Sequence, residues 1–300
     1  MLASLLTTVF FSLSVITAAR SSRIVGGATA NLSRMTLAAV LLAVWAHAFG
    51  GGLGGAGLPW FFLSGVIGFG LGDMALFASI ERIGPRLTIL LTQCLAAPIA
   101  ALAEWLWLGT TLHTSEVLCS AVILAGVAFA LAPDRSFEGG RATFWIGVAC
   151  GVGSAAGQAL GAVTSRKAND VAALAGSLVD GGTAAYQRIL AGITVTALAY
   201  IFFKRMRPQP GTLGAAEWRR ASPLIVANAL SGPALGVACY QWALRTTPSG
   251  IVLPIVATSP LVTMLLTWLI DRERPTRRAT VGGVLAVIGA AGLKYFSEAK

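Results

Sequence analysis

The chain has 300 residues, of which 56% are hydrophobic and 11% are charged, and its mean hydropathy is +0.76. Soluble domains carry about 25% charged residues, and a soluble chain of this length could not bury so much apolar surface. The composition therefore argues against a soluble enzyme and against a disordered chain. The net charge of +10 lies in short runs between apolar stretches, which is typical of membrane-protein loops rather than of nucleic-acid binding.

Ten stretches are long and apolar enough to cross a bilayer, which takes about 20 residues. The first stretch lacks the basic residues that precede the apolar core of a signal peptide, so we interpret it as a transmembrane helix. The gaps between the stretches are short and carry turn-forming residues. The predicted fold is thus an all-α polytopic membrane protein with ten transmembrane helices. The predicted spans are 2–19, 33–49, 58–80, 87–107, 115–132, 143–164, 184–203, 222–244, 248–270 and 279–296.

The two halves of the chain resemble each other, which predicts five-helix repeats at 1–133 and 142–300. The pairs that share an offset of 163 residues are Gly126 with Gly289, Pro85 with Pro248, and Trp105 with Trp268. A second alignment places Arg34 over Arg188. Because five is odd, the second repeat would be inverted relative to the first, as in secondary transporters, whose substrate site lies between the repeats near the midplane. The alternative is that any two apolar helices look alike.

Two segments carry a family resemblance, "FASIERIGPRLTILLTQCLAAPIAALAEWLWLG" in the first half and "YQWALRTTPSGIVLPIVATSPLVTMLLTWLIDRERPT" in the second. Their prolines, and the glycine near the end of each following helix, are similar to the EamA branch of the drug/metabolite transporter superfamily. The second half has "DRERPT" where that family has "LGERLT", whereas in the first half Thr110 replaces the acid. Within the branch, the chain looks most like the bacterial aromatic amino acid exporters of the YddG type.

The resemblance implies a secondary transporter in the bacterial inner membrane that exports amino acids by alternating access through a central cavity. Aromatic or other apolar amino acids are the expected substrates. The alternatives are a drug, lipid-sugar or nucleotide-sugar carrier of the same superfamily and, less favoured, a channel. A nucleotide carrier is disfavoured because predicted helices 3, 4, 8 and 9 show no basic residue at midplane.

Asp73 is a carboxylate in the third predicted helix, at the end of the glycine-rich run "GFGLGD". A carboxylate at membrane depth is costly and usually faces a cavity or a partner. Two interpretations stay open: Asp73 binds a substrate ammonium or a coupling proton, or it hydrogen-bonds an adjacent helix. The offset of 163 residues sets Asp73 and Phe77 opposite Gly236 and Tyr240, which predicts two matched helix faces with Met74 beside the first.

Uncharged polar residues inside other spans are candidates to line the cavity, the alternative being hydrogen bonds between helices. Gln158 aligns with Ser12 of the other half, which favours a cavity role, whereas Glu104 at a helix end is expected to reach the interface. The candidate substrate-binding residues are Ser12, Met74, Phe77, Gln93, Gln158, Asn228, Tyr240 and Thr258. Four prolines inside predicted helices are candidate hinges because each removes a backbone hydrogen bond. They are Pro98, Pro233, Pro254 and Pro260.

Gly153, Gly157 and Gly161 form a GxxxGxxxG stripe in the sixth predicted helix. Such a stripe lets two helix backbones approach closely. We expect it to pack within the chain, and dimerisation is the alternative.

No enzyme motif is present, since the chain lacks a Walker loop, HExxH and GxSxG. The two histidines and four widely spaced cysteines give no metal-binding pattern. We therefore expect no catalysis, no cofactor and no metal. The expected partners are an amino acid or small-metabolite substrate and membrane lipid, with no nucleic acid, and the chain is expected to act as a monomer.

The orientation in the membrane is open. Alternate loops hold 16 of the 22 Lys and Arg residues, which by the positive-inside rule places both termini outside. The family resemblance implies both termini in the cytoplasm.

Overall fold

The computed structural model describes residues 1–132, 140–206, 214–272 and 276–298. Within these ranges the regular structure is helical, and no strand occurs. The α-helices are α1 (Leu2–Val25), α2 (Gly27–Phe49), α3 (Leu58–Gly65), α4 (Asp73–Leu108), α5 (Thr114–Leu131), α6 (Arg141–Leu174), α7 (Gly181–Met206), α8 (Ala215–Ala229), α9 (Val237–Thr246), α10 (Ser249–Val256), α11 (Ser259–Asp271) and α12 (Arg277–Glu298). The π-helices are π1 (Val66–Gly72) and π2 (Leu230–Gly236).

Eight helical stretches among the described residues are long and apolar enough to cross a membrane. Their outer surfaces expose large apolar side chains such as Val44, Leu106 and Val287. Water around this much apolar surface would be unfavourable, whereas lipid chains would cover it. The chain is therefore a polytopic helical membrane protein.

The longest apolar stretch, Leu58–Leu108, folds back on itself at Gly84. Its 51 residues would extend about 75 Å as one helix, more than twice the thickness of a bilayer core. Gly84 has φ 78° and ψ 163°, a conformation that only glycine adopts without strain. The Oγ of Ser79 lies 2.9 Å from the Oγ1 of Thr88, so the segments on either side of Gly84 lie against each other.

The two π-helices replace a regular helical turn in each half of the chain. In π1 every second residue from Gly68 to Gly72 is glycine, which lowers the cost of an irregular backbone. In π2, Pro233 lacks the N–H group that a regular α-helical hydrogen bond needs. Wide π turns of this kind are frequent at functional sites. The predicted hinge Pro233 therefore lies where the backbone already departs from the α-helix.

The other predicted hinges occupy different kinds of position. Pro98 lies inside α4 and Pro254 inside α10. The predicted span 248–270 corresponds to the apolar stretch Ser249–Ile270, which a turn divides into α10 and α11, with Thr258 directly before α11. Pro260 lies in that first turn, where proline costs no hydrogen bond.

The glycine stripe of α6 packs against π1. A Cβ added at Gly157 would lie 2.5 Å from the Cα of Gly72, and one added at Gly161 would lie 3.3 Å from the Cα of Gly68. The two backbones therefore touch along this line, as in close-packed membrane helices. The stripe is thus used within the chain.

Candidate substrate cavity

A cavity of about 310 Å³ lies between helices from both halves of the chain. This volume is at the lower end of the range of about 300–1,000 Å³ for small-molecule sites. The wall combines aromatic rings, glycine backbone and a few polar side chains. It is lined by Phe11, Gly68, Phe69, Gly72, Asp73, Leu76, Thr92, Gln93, Ser154, Gln158, Arg188, Val237, Tyr240 and Val256.

Four of the residues singled out from the sequence meet at this cavity. Asp73 and Gln93 come from α4, Gln158 from α6 and Tyr240 from α9. The carboxylate of Asp73 stands at the junction of π1 and α4, where the glycine-rich backbone lets α6 come close.

Three other candidates are held by bonds elsewhere. Ser12 donates to the backbone oxygen of Ser259 at 2.9 Å, and the Oδ1 of Asn228 accepts from Ser14 Oγ at 2.7 Å. Thr258 donates to a backbone oxygen one turn earlier at 2.6 Å and lines a separate groove between α1, α11 and α12. None of the three lines the cavity: Ser12 and Asn228 join helices through these bonds, and Thr258 bonds within its own turn.

Met74 and Phe77 do not reach the cavity. They are 48% and 52% exposed and do not line this cavity, so the predicted match between the Phe77 and Tyr240 faces does not form there. The cavity side of this helix runs through Gly72, Asp73 and Leu76. At about 100° per residue, Gly72 and Leu76 lie to one side of Asp73 around the helix axis, and Met74 and Phe77 lie to the other side.

Arg188 of α7 lines the cavity and was not identified from the sequence. Its side chain is 5% exposed, and its Cζ lies 5.3 Å from the ring centre of Phe69 and 6.0 Å from that of Tyr240. Such distances allow cation–π attraction. The available signal was an arginine within the predicted span 184–203, which marks a functional position by its cost in the membrane.

Several polar atoms in the cavity wall are buried without a hydrogen-bond partner. They include the Nε of Arg188, the hydroxyl of Tyr240 and the hydroxyl of Thr92. Buried polar groups are nearly always bonded to protein or to water. The cavity therefore offers donors to a ligand.

Asp73, unlike Arg188, has a charged neighbour. Arg34 of α2 interacts electrostatically with Asp73, and its Nε donates to Asn31 Oδ1 at 2.8 Å. The charge of Asp73 is thus partly balanced from outside the cavity wall.

A buried ion pair joins the two halves at one end of the bundle. Glu104 Oε1 lies 2.6 Å from Arg166 Nε, with Glu104 only 2% exposed. Its Oε2 accepts from the hydroxyl of Ser249 and from the backbone N–H of Ser249, the latter at 2.7 Å. Arg166 donates to the backbone oxygens of Leu244 and Thr247. A position at a helix end would allow Glu104 to reach the interface, but these partners hold its carboxylate inside the bundle.

Asp180 forms a second link at the same end, ahead of α7. It accepts from Trp45 Nε1 at 2.9 Å and from the backbone N–H groups of Gly182 and Thr183. Burial acts to raise the pKa of Asp180, but these hydrogen bonds to the charged form outweigh it and lower the pKa below its ordinary value. The carboxylate thus caps α7 and ties it to α2.

Helical spans that surround a small cavity, mainly apolar with a few polar groups, are typical of a membrane protein that carries small molecules. The model of the EamA-like transporter family matches residues 1–132 and 145–295. The chain belongs to this family, whose members are transporters of the drug/metabolite superfamily.

One solved structure, described as "Crystal structure of protein", matches the chain with a TM-score of 0.74. The match covers 99% of this chain and 97% of that one, at 19% sequence identity. This likeness supports the fold alone. No curated protein matches the chain.

Proposed function

We propose that the chain is a secondary transporter in the bacterial inner membrane that exports amino acids, including aromatic or other apolar ones. The observation that carries the proposal is the mixed wall of the cavity. It combines the rings of Phe11, Phe69 and Tyr240 with two charges of opposite sign, those of Asp73 and Arg188. An amino acid presents the same combination of an apolar side chain with an ammonium and a carboxylate group.

The proposed architecture has ten spans in two inverted repeats, 1–133 and 142–300. The turn at Gly84 supports two crossings within Leu58–Leu108, and α7 has 26 residues, enough to cross a bilayer. The positions of π1 and π2 at corresponding points of the halves support the repeat. On this proposal the chain acts as a monomer, with the cavity at the interface between the repeats.

Transport by alternating access requires the helices around the cavity to bend. The candidate hinges are Pro98, Pro233, Pro254 and Pro260, and the break between α10 and α11 adds a second interrupted helix beside π2. Interrupted helices at the substrate site are a recurring feature of secondary transporters. Within the cavity, Gln93 and Gln158 supply hydrogen bonds, and Asp73 takes either a coupling proton or the substrate amine.

The closest alternative is another substrate of the same superfamily. A nucleotide sugar carries several charges and is larger than most amino acids, whereas the cavity holds about 310 Å³ and one arginine in its wall. An apolar drug has no charged group that could interact with Asp73 or Arg188. Both features favour amino acids.

The test is uptake of a panel of radiolabelled amino acids into proteoliposomes, with and without a pH gradient and with empty liposomes as the control. We expect several large apolar amino acids to be carried, because an apolar wall distinguishes one methylene by only about 1–3 kcal/mol. Strict selectivity for one phosphorylated metabolite would contradict the proposal.

A further inference from the structure

The geometry points to Arg188 as the group that binds a substrate carboxylate, so that the cavity recognises small carboxylates whether or not they carry an ammonium group. This inference rests on the proposed transport function and narrows its substrate class.

The charge of Arg188 is isolated within the protein. Arg188 is only 5% exposed. Its Nε has no hydrogen-bond partner, and no described acidic residue forms an ion pair with it. Burying an unpaired cation is costly. An anion bound in the cavity would remove that cost, so Arg188 favours a negatively charged ligand.

Hydrogen-bond donors surround the cavity side of the Arg188 guanidinium. Phe69 and Tyr240 contact it through their rings, which leaves its N–H groups available. A planar guanidinium binds a carboxylate through two parallel hydrogen bonds. The unpartnered hydroxyls of Tyr240 and Thr92 in the same wall can donate further bonds to such an oxygen.

The charged side chains at and beside the cavity do not cancel. Asp73 interacts electrostatically with Arg34. Arg34, Asp73 and Arg188 together carry one net positive charge. A monoanion neutralises that charge, whereas an amine lacking a carboxylate would add to it.

The test measures binding to the purified full-length protein by calorimetry with five related probes. They are L-phenylalanine, 3-phenylpropionate, phenylalaninamide, phenethylamine and phenyl phosphate. The two carboxylates should bind about tenfold to a hundredfold more tightly than the amide and the amine, because a hydrogen bond to a charged group is lost in each of the latter. Equal binding of the amide and the acid to wild type would overturn the inference, as would tighter binding of the phosphate.

Variants locate the effect at Arg188. In Arg188→Gln the preference for the acids should disappear, and Arg188→Lys should keep part of it because the charge remains. Arg245→Gln is the matched control, since Arg245 lies near the end of α9 and donates to the backbone oxygen of Val179 rather than facing the cavity. A preference that persists in a folded Arg188→Gln protein would overturn the assignment.

The outcomes separate the two proposals. Preference for carboxylates without transport of any amino acid would defeat the proposed function and leave the Arg188 inference intact. Transport of amino acids that the amide inhibits as strongly as the acid would defeat the inference and leave the function intact.

Discussion

Glu104 and Arg166 illustrate how single residues hold the helices of this bundle together. The pair joins α4 to α6, and Ser249 extends it to the first residue of α10. The backbone N–H of Ser249 has no helical partner at that position, so the carboxylate replaces a conventional cap. The pair matters for stability because removal of either partner would leave the other as an isolated buried charge, which costs several kcal/mol.

Glu104→Gln should therefore lower the free energy of unfolding by about 3–5 kcal/mol, since it leaves Arg166 as an uncompensated buried charge. Thermal unfolding in detergent measures the loss. Glu81→Gln, at an exposed position of the same helix, is the control and should leave stability unchanged. Equal melting temperatures for the two variants would show that the Glu104 pair contributes nothing measurable.

If Asp73 holds the coupling proton, Asp73→Asn should abolish the response of uptake to an imposed pH gradient while uptake down an amino acid gradient continues. Asn keeps the shape of the side chain but cannot ionise, so a coupling proton has no site. Proteoliposome uptake with and without the gradient measures this, and Asp170→Asn at an exposed position of α6 is the control. Unchanged gradient dependence would end the coupling role.

The same variant also tests the partnership with Arg34. If Arg34 and Asp73 balance each other, Asp73→Asn should be less stable than wild type, and adding Arg34→Gln should restore most of the loss because both charges are then gone. Additive losses would mean that the two side chains do not interact.

At the scale of helices, close approach depends on glycine at particular positions rather than on glycine content. A Cβ at Gly157 would meet the backbone of Gly72 at 2.5 Å, whereas one at Gly153 would meet only the Cβ of Ala75, at 3.7 Å. The first distance is impossible without moving one helix, and the second is ordinary contact. Two glycines one turn apart on α6 therefore have different roles.

Gly157→Ala should destabilise the protein by about 1–3 kcal/mol through overpacking, and Gly153→Ala should be tolerated. Both substitutions gain the same helix propensity, about 1 kcal/mol in favour of Ala, so the difference between their melting temperatures isolates the packing against π1. Similar melting temperatures would contradict the close contact between α6 and π1.

For the whole molecule, hydropathy predicted where helices occur because the bilayer requires long apolar runs whatever the packing. Helix ends were harder to place: α1 reaches Val25 and α6 reaches Leu174, since polar turns beyond the bilayer core add no hydropathy signal. The turn at Gly84 could be predicted from "IGPR", where glycine and proline act through the backbone alone.

The cavity was only partly predictable because its members depend on how each helix is rotated. Packing between helices sets that rotation, which is why Asp73 and Tyr240 face inward while Phe77 faces outward. Arg188 was visible as a charge in a predicted span, but its neighbours come from π1 and α9, far away in sequence. The aromatic residues that bury Arg188 therefore leave no pattern in the sequence around it.

The distribution of basic residues predicts the orientation of the whole molecule in the membrane, and single cysteines can test it. In a background without Cys94, Cys119, Cys150 and Cys239, a cysteine at Gly51 or at Gly140 would project into open space, since an added Cβ meets nothing closer than about 4 Å at either position. The positive-inside rule places the Gly140 side in the cytoplasm. An impermeant maleimide should therefore label Gly51→Cys in intact cells, and Gly140→Cys only after permeabilisation.

The reversed pattern would place both termini in the cytoplasm, as the family resemblance implies, and would show that the charge distribution does not govern insertion of this chain. Labelling of both positions from the same side would have a stronger consequence. Three proposed crossings separate Gly51 from Gly140, namely the segment that ends at Gly84, the segment that follows it, and α5. An odd number of crossings requires opposite sides, so labelling from one side would contradict the turn at Gly84 as a membrane re-entry point and, with it, the ten-span inverted repeat.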